Sequence, residues 1–292
     1  LPFKPSKVIL PATREEASES LEALGGGAAI IAGGTMLFRL RDSGLLDHVE
    51  ALVDLSRLGL SYVRGDAVVA IGSYTPLSDV YRWIASDPRR GRALGALADA
   101  IMSMPGWQIR NMATVGGSAS IGMPQSDIAT SLLALGARAR ISGPSGERVV
   151  DLRDYMAGPL SPSLGSGEFL SELVIEQPIG ASAHEKFVVS DIDHPIASAS
   201  AHLALADDGS VASARIALGG GLRRSVVLES PRALVGRVPD EGVLEEIQGL
   251  ARDSVDPLDD FAASAEYRRH LAGVMARRAV ARAYARAGGS AR

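Results

Sequence analysis

Two short stretches carry residues whose types and spacing suit a phosphate-rich ligand. The first, Ile30-Ile31-Ala32-Gly33-Gly34-Thr35-Met36-Leu37, runs from an apolar, strand-like segment through two glycines to a hydroxyl. The second, Thr114-Val115-Gly116-Gly117-Ser118, sets two glycines between hydroxyl side chains and leads through Pro124 and Asp127 to the apolar run Leu132–Leu135. Adjacent glycines reach backbone conformations closed to other residues and leave no Cβ between a ligand and the amides. Successive N–H groups in such loops make anion-binding concavities, and Thr35, Thr114 and Ser118 add donors. A lone glycine pair is more often a plain turn between strand and helix. Two in one chain suggest one pyrophosphate gripped from two sides.

Other chemistries fit less well. No Gly-Lys-Ser/Thr follows either loop, and neither matches the dinucleotide pattern Gly-x-Gly-x-x-Gly. Gly116-Gly117-Ser118-Ala119-Ser120 lacks the final glycine of a nucleophile elbow, so a hydrolase triad is rejected. His48, His184, His194, His202 and His270 show no metal-ligand spacing. Asp191, Asp193 and His194 are a candidate acid/base cluster, but a solvated turn before a strand is the simpler account. The chain has no cysteine, which excludes disulfides, thiolate nucleophiles and cysteine-held iron–sulfur clusters within it. A net charge of −4 gives no basic footprint for nucleic acid. No apolar run reaches transmembrane length and no signal peptide is visible, so a cytoplasmic protein is expected.

The elements that must position these loops follow from capping and periodicity. Lys7–Leu10 reads as a strand. Thr13 and Glu16 form a capping-box pattern for a helix carrying Ala17, Leu21 and Leu24, which Gly25–Gly27 stop. Ile30–Ala32 is a strand delivering the first loop, and Ala51–Leu55 is another. Leu60–Ser73 reads as a hairpin around Arg64-Gly65-Asp66. Helices are expected at Leu77–Ala85 and Ala93–Met102, joined by an exposed link, Ser86–Arg92. Arg138–Ile141 and Arg148–Leu152 make a second hairpin, and Glu168–Glu176 a strand closed by Pro178. A shift in composition near Gly180 marks a boundary. Strands at Lys186–Val189, Ser198–Ala206 and Val211–Leu218 follow it, then helices at Pro231–Val235, Val243–Arg252 and Ala263–Ala287.

The ordered set AGGT at 32–35, TVGG at 114–117, SD at 126–127, LLAL at 132–135, EKF at 185–187, DIDHP at 191–195 and EYRRHL at 266–271 resembles the FAD-binding medium subunit of the molybdenum hydroxylases, the carbon monoxide dehydrogenase and xanthine dehydrogenase group. The resemblance spans nearly the whole chain. It implies an α+β protein, with a two-subdomain FAD-binding fold of the vanillyl-alcohol-oxidase type (residues 1–58 and 59–177) and a C-terminal α+β domain of the carbon monoxide dehydrogenase flavoprotein type (178–292). It implies non-covalent FAD, wrapped by Ile30, Ile31, Ala32, Gly33, Gly34, Thr35, Met36 and Leu37 on one side. Thr114, Val115, Gly116, Gly117 and Ser118 would clamp the other. Asp127 would meet ribityl or ribose hydroxyls, and Met104 would make an apolar contact. Leu170 would lie near the ring system, and Lys186 would approach it as a cation.

The same resemblance implies a small subunit with 2Fe-2S clusters and a large molybdopterin subunit, assembled as a dimer of heterotrimers. Electrons would pass from the clusters through FAD to NAD, a quinone or another acceptor. Three residues depart from the family pattern or qualify it. Ser118 replaces the usual asparagine, and His194 stands where an aromatic is common. Lys186, read alone, is an ordinary strand-edge lysine. Two alternatives stay open: a self-sufficient flavin oxidase or reductase of the same superfamily, and a scaffold subunit that has lost FAD.

Overall fold

A computed structural model describes residues 4–176, 178–190 and 194–289. The first sheet is parallel, with β1 (Lys7–Ile9), β2 (Ala28–Ile31) and β3 (Ala51–Asp54) in the order β1-β3-β2. Helix α1 (Arg14–Leu24) crosses from β1 to β2. Thr13 caps it by accepting from the Glu16 amide, while Glu16 reaches back to accept from Ala12. Gly25–Gly27 form a tight 3-10 turn, so β2 begins at Ala28, earlier than the sequence suggests. Helix α2 (Thr35–Leu40) follows the first glycine loop.

The second sheet is antiparallel. Its strands β4 (Val63–Arg64), β5 (Val68–Gly72), β6 (Arg138–Gly143), β7 (Gly146–Asp151) and β8 (Phe169–Glu176) run in the order β4-β5-β8-β6-β7. Central β8 is buried at every position but Glu176. Helices α3 (Leu77–Ala85), α4 (Pro88–Ala93), α5 (Gly95–Met102), α6 (Trp107–Met112), α7 (Val115–Ser120), α8 (Asp127–Ala134) and α9 (Leu152–Tyr155) gather against it. The segment expected to be an exposed link contains α4. Asp87 caps that helix and Pro88 starts it, a position where a missing N–H costs nothing.

The third sheet holds β9 (Ala181–Phe187), β10 (Ala197–Leu205), β11 (Val211–Gly220) and β12 (Val226–Glu229), all antiparallel in the order β12-β11-β10-β9. Helices α10 (Glu241–Ser254) and α11 (Ala265–Arg286) pack on it around Leu203, Ile216, Ile247 and Met275. Strand β9 starts five residues before the sequence expectation and ends at Phe187. Its first half, Ala-Ser-Ala, is small because α5 lies directly on it: a Cβ at Gly95 would fall 2.6 Å from the Ser182 carbonyl. Small residues carry little strand signal. Pro231–Val235 forms one turn closed on the Pro231 carbonyl, after which Val235 bridges to Val211 instead of extending a helix. No helix of the described residues is long and apolar enough to cross a membrane.

One carboxylate joins the second and third sheets. Asp99 on α5 accepts from Arg286 at 2.7 and 2.9 Å and from Arg282 at 3.0 Å, both on α11, and from the His184 amide at 3.2 Å. Beside it, Ser182 donates to the Ala93 carbonyl and accepts from the Ala96 amide. Asp99 and Arg286 are mostly buried, and removing the carboxylate leaves the Arg286 charge unpaired, while the exposed Arg282 keeps Glu185. Asp99→Ala is therefore expected to cost about 3 kcal/mol in urea unfolding; a loss within about 0.5 kcal/mol would mean the group behaves as a surface pair.

Candidate cofactor site

A cavity of about 890 Å³ opens between the first and second sheets, near the upper end of the usual range for small-molecule sites. All eight residues Ile30–Leu37 line it. Gly34 takes the left-handed conformation (φ 69°) that turns the chain from β2 into α2. Helix α2 has no side-chain cap, so the first-turn amides of Thr35, Met36 and Leu37 lack intrahelical partners at the cavity wall. No lysine or arginine lines the cavity among the described residues. An anion held here would rest on amides, not on cations.

The second glycine stretch differs from the expected open loop. It is the short helix α7, capped by Thr114, whose Oγ1 accepts from the Gly117 amide at 3.1 Å. Val115 donates to Thr75, Gly116 to Ser73 and Ser118 to Thr114, so these amides are spent internally. The Ser118 hydroxyl also donates to the Thr114 carbonyl. What this segment offers a ligand is therefore surface, not a nest of donors. A Cβ on Gly116 would strike Ser73 at 2.5 Å, whereas one on Gly117 would meet only Thr114 Oγ1, at 3.0 Å. Gly117 thus presents bare backbone to the cavity, with Thr114, Gly116 and Ser118 also on its wall. Ser73 Oγ, on the same wall, is buried without a hydrogen-bond partner.

Three features of the wall carry no sequence signal of their own. Tyr74 donates to the Ile31 carbonyl and accepts from the Leu55 amide at 2.9 Å, pinning the ends of β2 and β3 together; burial first, and Asp54 after it, push its hydroxyl pKa well up. Tyr155 shares a 2.7 Å hydrogen bond with Ser120 and is pushed up to about 12 by burial. The loop from Pro159 to Glu168 closes the far side, tied to α7 where the Leu160 amide donates to Ile121 at 2.7 Å. Its richness in Gly, Ser and Pro marks a loop and nothing more. Leu170, on β8, also faces the cavity.

The remaining candidate residues lie off this wall. Val115 is wholly buried in the second sheet's core, and Met104 packs against that core. Asp127 starts α8, and its Oδ2 sits 3.1 Å from Lys186 Nζ, which also donates to the Ser103 carbonyl at 2.9 Å. Its other oxygen, Oδ1, lies 3.3 Å from His184 Nε2 without hydrogen-bond alignment, while His184 Nδ1 is 2.8 Å from Ser200 Oγ. His184 was missed because a lone histidine in a run of small strand residues marks nothing. Asp191 and Asp193 lie outside the described residues, and His194 is exposed. Burial raises the Asp127 pKa, but His184 and then Lys186 draw it down, and the balance falls below the ordinary 3.8. A depressed carboxylate pKa stabilises the fold above the unfolded value and loses that contribution as pH falls through the folded one. Asp127→Asn should accordingly flatten the loss of unfolding free energy below pH 3.8; a slope equal to that of the unmodified protein would contradict the pairing.

Comparisons with known proteins agree with this geometry. The family described as the FAD binding domain in molybdopterin dehydrogenase matches residues 2–177, and the CO dehydrogenase flavoprotein C-terminal domain matches residues 182–283. The chain is 33% identical over 282 residues to the carbon monoxide dehydrogenase medium chain of Afipia carboxidovorans, covering 95% of this chain and 96% of that one. It is 32% identical over 273 residues to a putative xanthine dehydrogenase FAD-binding subunit of Escherichia coli K12, covering 90% of each. Among solved structures, reconstituted CO dehydrogenase from Oligotropha carboxidovorans superposes with a TM-score of 0.88 at 32% identity, over 98% of this chain and all of that one. The α+β fold implied by the glycine loops and the C-terminal signature is therefore the observed one. The chain belongs to the FAD-binding medium subunits of the molybdenum hydroxylases and is an oxidoreductase subunit of that group.

Proposed function

We propose that this chain holds FAD in the cavity between its first two sheets and relays electrons from the 2Fe-2S clusters of a small partner subunit to an external acceptor. The observation that carries the reading is the uncapped first turn of α2, facing a wall without cations opposite the bare backbone of Gly117. A diphosphate fits such a site, since amides at a helix start satisfy its oxygens and no side chain bars close approach. Thr35, Met36 and Leu37 hold the pyrophosphate through their amides. Gly33, Gly34 and Ile30–Ala32 shape the wall behind it, and Thr114, Gly116, Gly117 and Ser118 form the opposing surface.

Bound FAD supplies the storage of an electron pair and its transfer onward. The chain's own residues position and insulate that group. Leu170 and the Pro159–Glu168 loop exclude water from the cavity, and Tyr74 keeps β2 in register with β3 beneath the first loop. Lys186 acts toward the ring and Asp127 toward the ribityl or ribose hydroxyls, their pairing holding a cation and a carboxylate in fixed relation; Met104 contributes an apolar contact. Val115 acts from the core, by anchoring α7. Substrate hydroxylation belongs to a separate molybdopterin subunit. The whole is a cytoplasmic dimer of heterotrimers that delivers electrons to NAD, a quinone or another acceptor.

Gly117→Val tests the placement of the cofactor. The added Cβ meets only the Thr114 hydroxyl within the protein, so the fold is expected to persist with an unchanged circular dichroism spectrum. It projects into the cavity, and FAD affinity should fall by roughly tenfold or more, a loss of about 1.4 kcal/mol. Unchanged flavin content in a folded variant would contradict the proposal.

A further inference from the structure

We propose that the exposed apolar face made by α6 and the outer side of α2 is the docking surface for the iron–sulfur subunit. The inference rests on the reading that this chain binds FAD and takes its electrons from that subunit. A six-residue helix is unstable alone and needs tertiary cover for its apolar side chains. Helix α6 has little, chiefly from α3: not one of its residues is buried. Trp107 is 64% exposed and Met112 55%, with Ile109 exposed between them and Met102 just before the helix. Helix α2 likewise buries no residue, and its Phe38 is 58% exposed. The two helices meet where Gly33 packs on the Met112 carbonyl.

Single exposed apolar residues are ordinary, but a set of this size and composition marks an interaction surface, and Trp, Phe, Met and Arg are the residues enriched at interface centres. FAD does not cover it, because neither Phe38 nor any residue of α6 lines the cavity. A partner chain must. The charges around the face are basic. Arg39 makes no ion pair among the described residues, Arg110 bonds only to the carbonyl and sulfur of Met102, and Arg41 pairs with its exposed neighbour Asp42. A second copy of this chain would bring arginines against arginines, so the complementary occupant is a different chain with an acidic rim. Position selects which one. Helix α6 runs directly into Ala113–Ser118, and its last carbonyl abuts the first loop, so a chain seated here lies against the walls of the flavin cavity. Electron transfer falls steeply with distance, and the subunit that hands electrons to the flavin is the one that must sit there.

The test is purification of the assembled enzyme carrying Trp107→Glu together with Ile109→Asp, with Phe261→Glu, at a fully exposed site on the third-sheet unit, as the control. The double variant should keep its flavin absorbance and lose the iron–sulfur chain, with iron content falling at least tenfold; the control should keep both. Hydroxyl-radical footprinting of the unmodified protein gives an independent readout. Trp107 and Met112 should oxidise several-fold more slowly in the assembly than in the isolated chain. Equal oxidation in the two states would overturn the proposal even if the double variant fails to fold. So would full iron retention in the folded double variant, whether it then loses the molybdenum chain or only a second copy of itself. A colourless but iron-bearing unmodified complex protected at Trp107 would sink the flavin reading and leave the docking surface standing.

Discussion

The carbonyl of Met112 occupies the space where residue 33 would carry a side chain: a Cβ there would lie 1.9 Å from that oxygen. This backbone-on-backbone contact brings the first loop of the parallel sheet against the segment leading into α7. It sets the separation of the two cavity walls, and only glycine permits it. The partner glycines divide the labour in the same way. Gly116 packs on Ser73 and joins α7 to the antiparallel sheet, while Gly34 supplies the left-handed turn and Gly117 faces the cavity. One glycine of each pair builds the fold; the other shapes the site.

The third sheet is bound to this framework by charge. Asp99 gathers two arginines of α11, and Asp127 sits between Lys186 and His184 of β9. Both carboxylates belong to helices of the second unit, and their partners belong to the third. Placing ions at such a seam costs desolvation that only a full set of partners offsets. The pairing at this seam fixes Lys186 of the third sheet beside the start of α8.

Much of this was legible in the residues. The Thr13 cap and the glycine pairs are local signals with local causes, and the ordered set of motifs identified the family and the fold; the short helix started by Pro88 was instead expected to be an exposed link. Other parts depended on contacts distant in sequence. Helix α7 has two glycines and two serines in six residues, a composition that disfavours helix. It forms because Thr75 and Ser73 accept its first amides and Thr114 caps it. Tyr74 earns its place on the cavity wall through a bond to Ile31, which no pattern around residue 74 reveals. Lys186 and Asp127 were each expected to be ligand residues, and their pairing with one another follows from the packing of β9 on α5, beside the start of α8.

The account stands or falls on whether this polypeptide itself holds flavin. The direct measurement is the visible absorption spectrum of the purified chain, taken before and after mild acid precipitation, with the released pigment identified by chromatography. The account predicts flavin bands that move into the supernatant and run as FAD, in a ratio near one per chain. A colourless chain that also takes up no added FAD would contradict it.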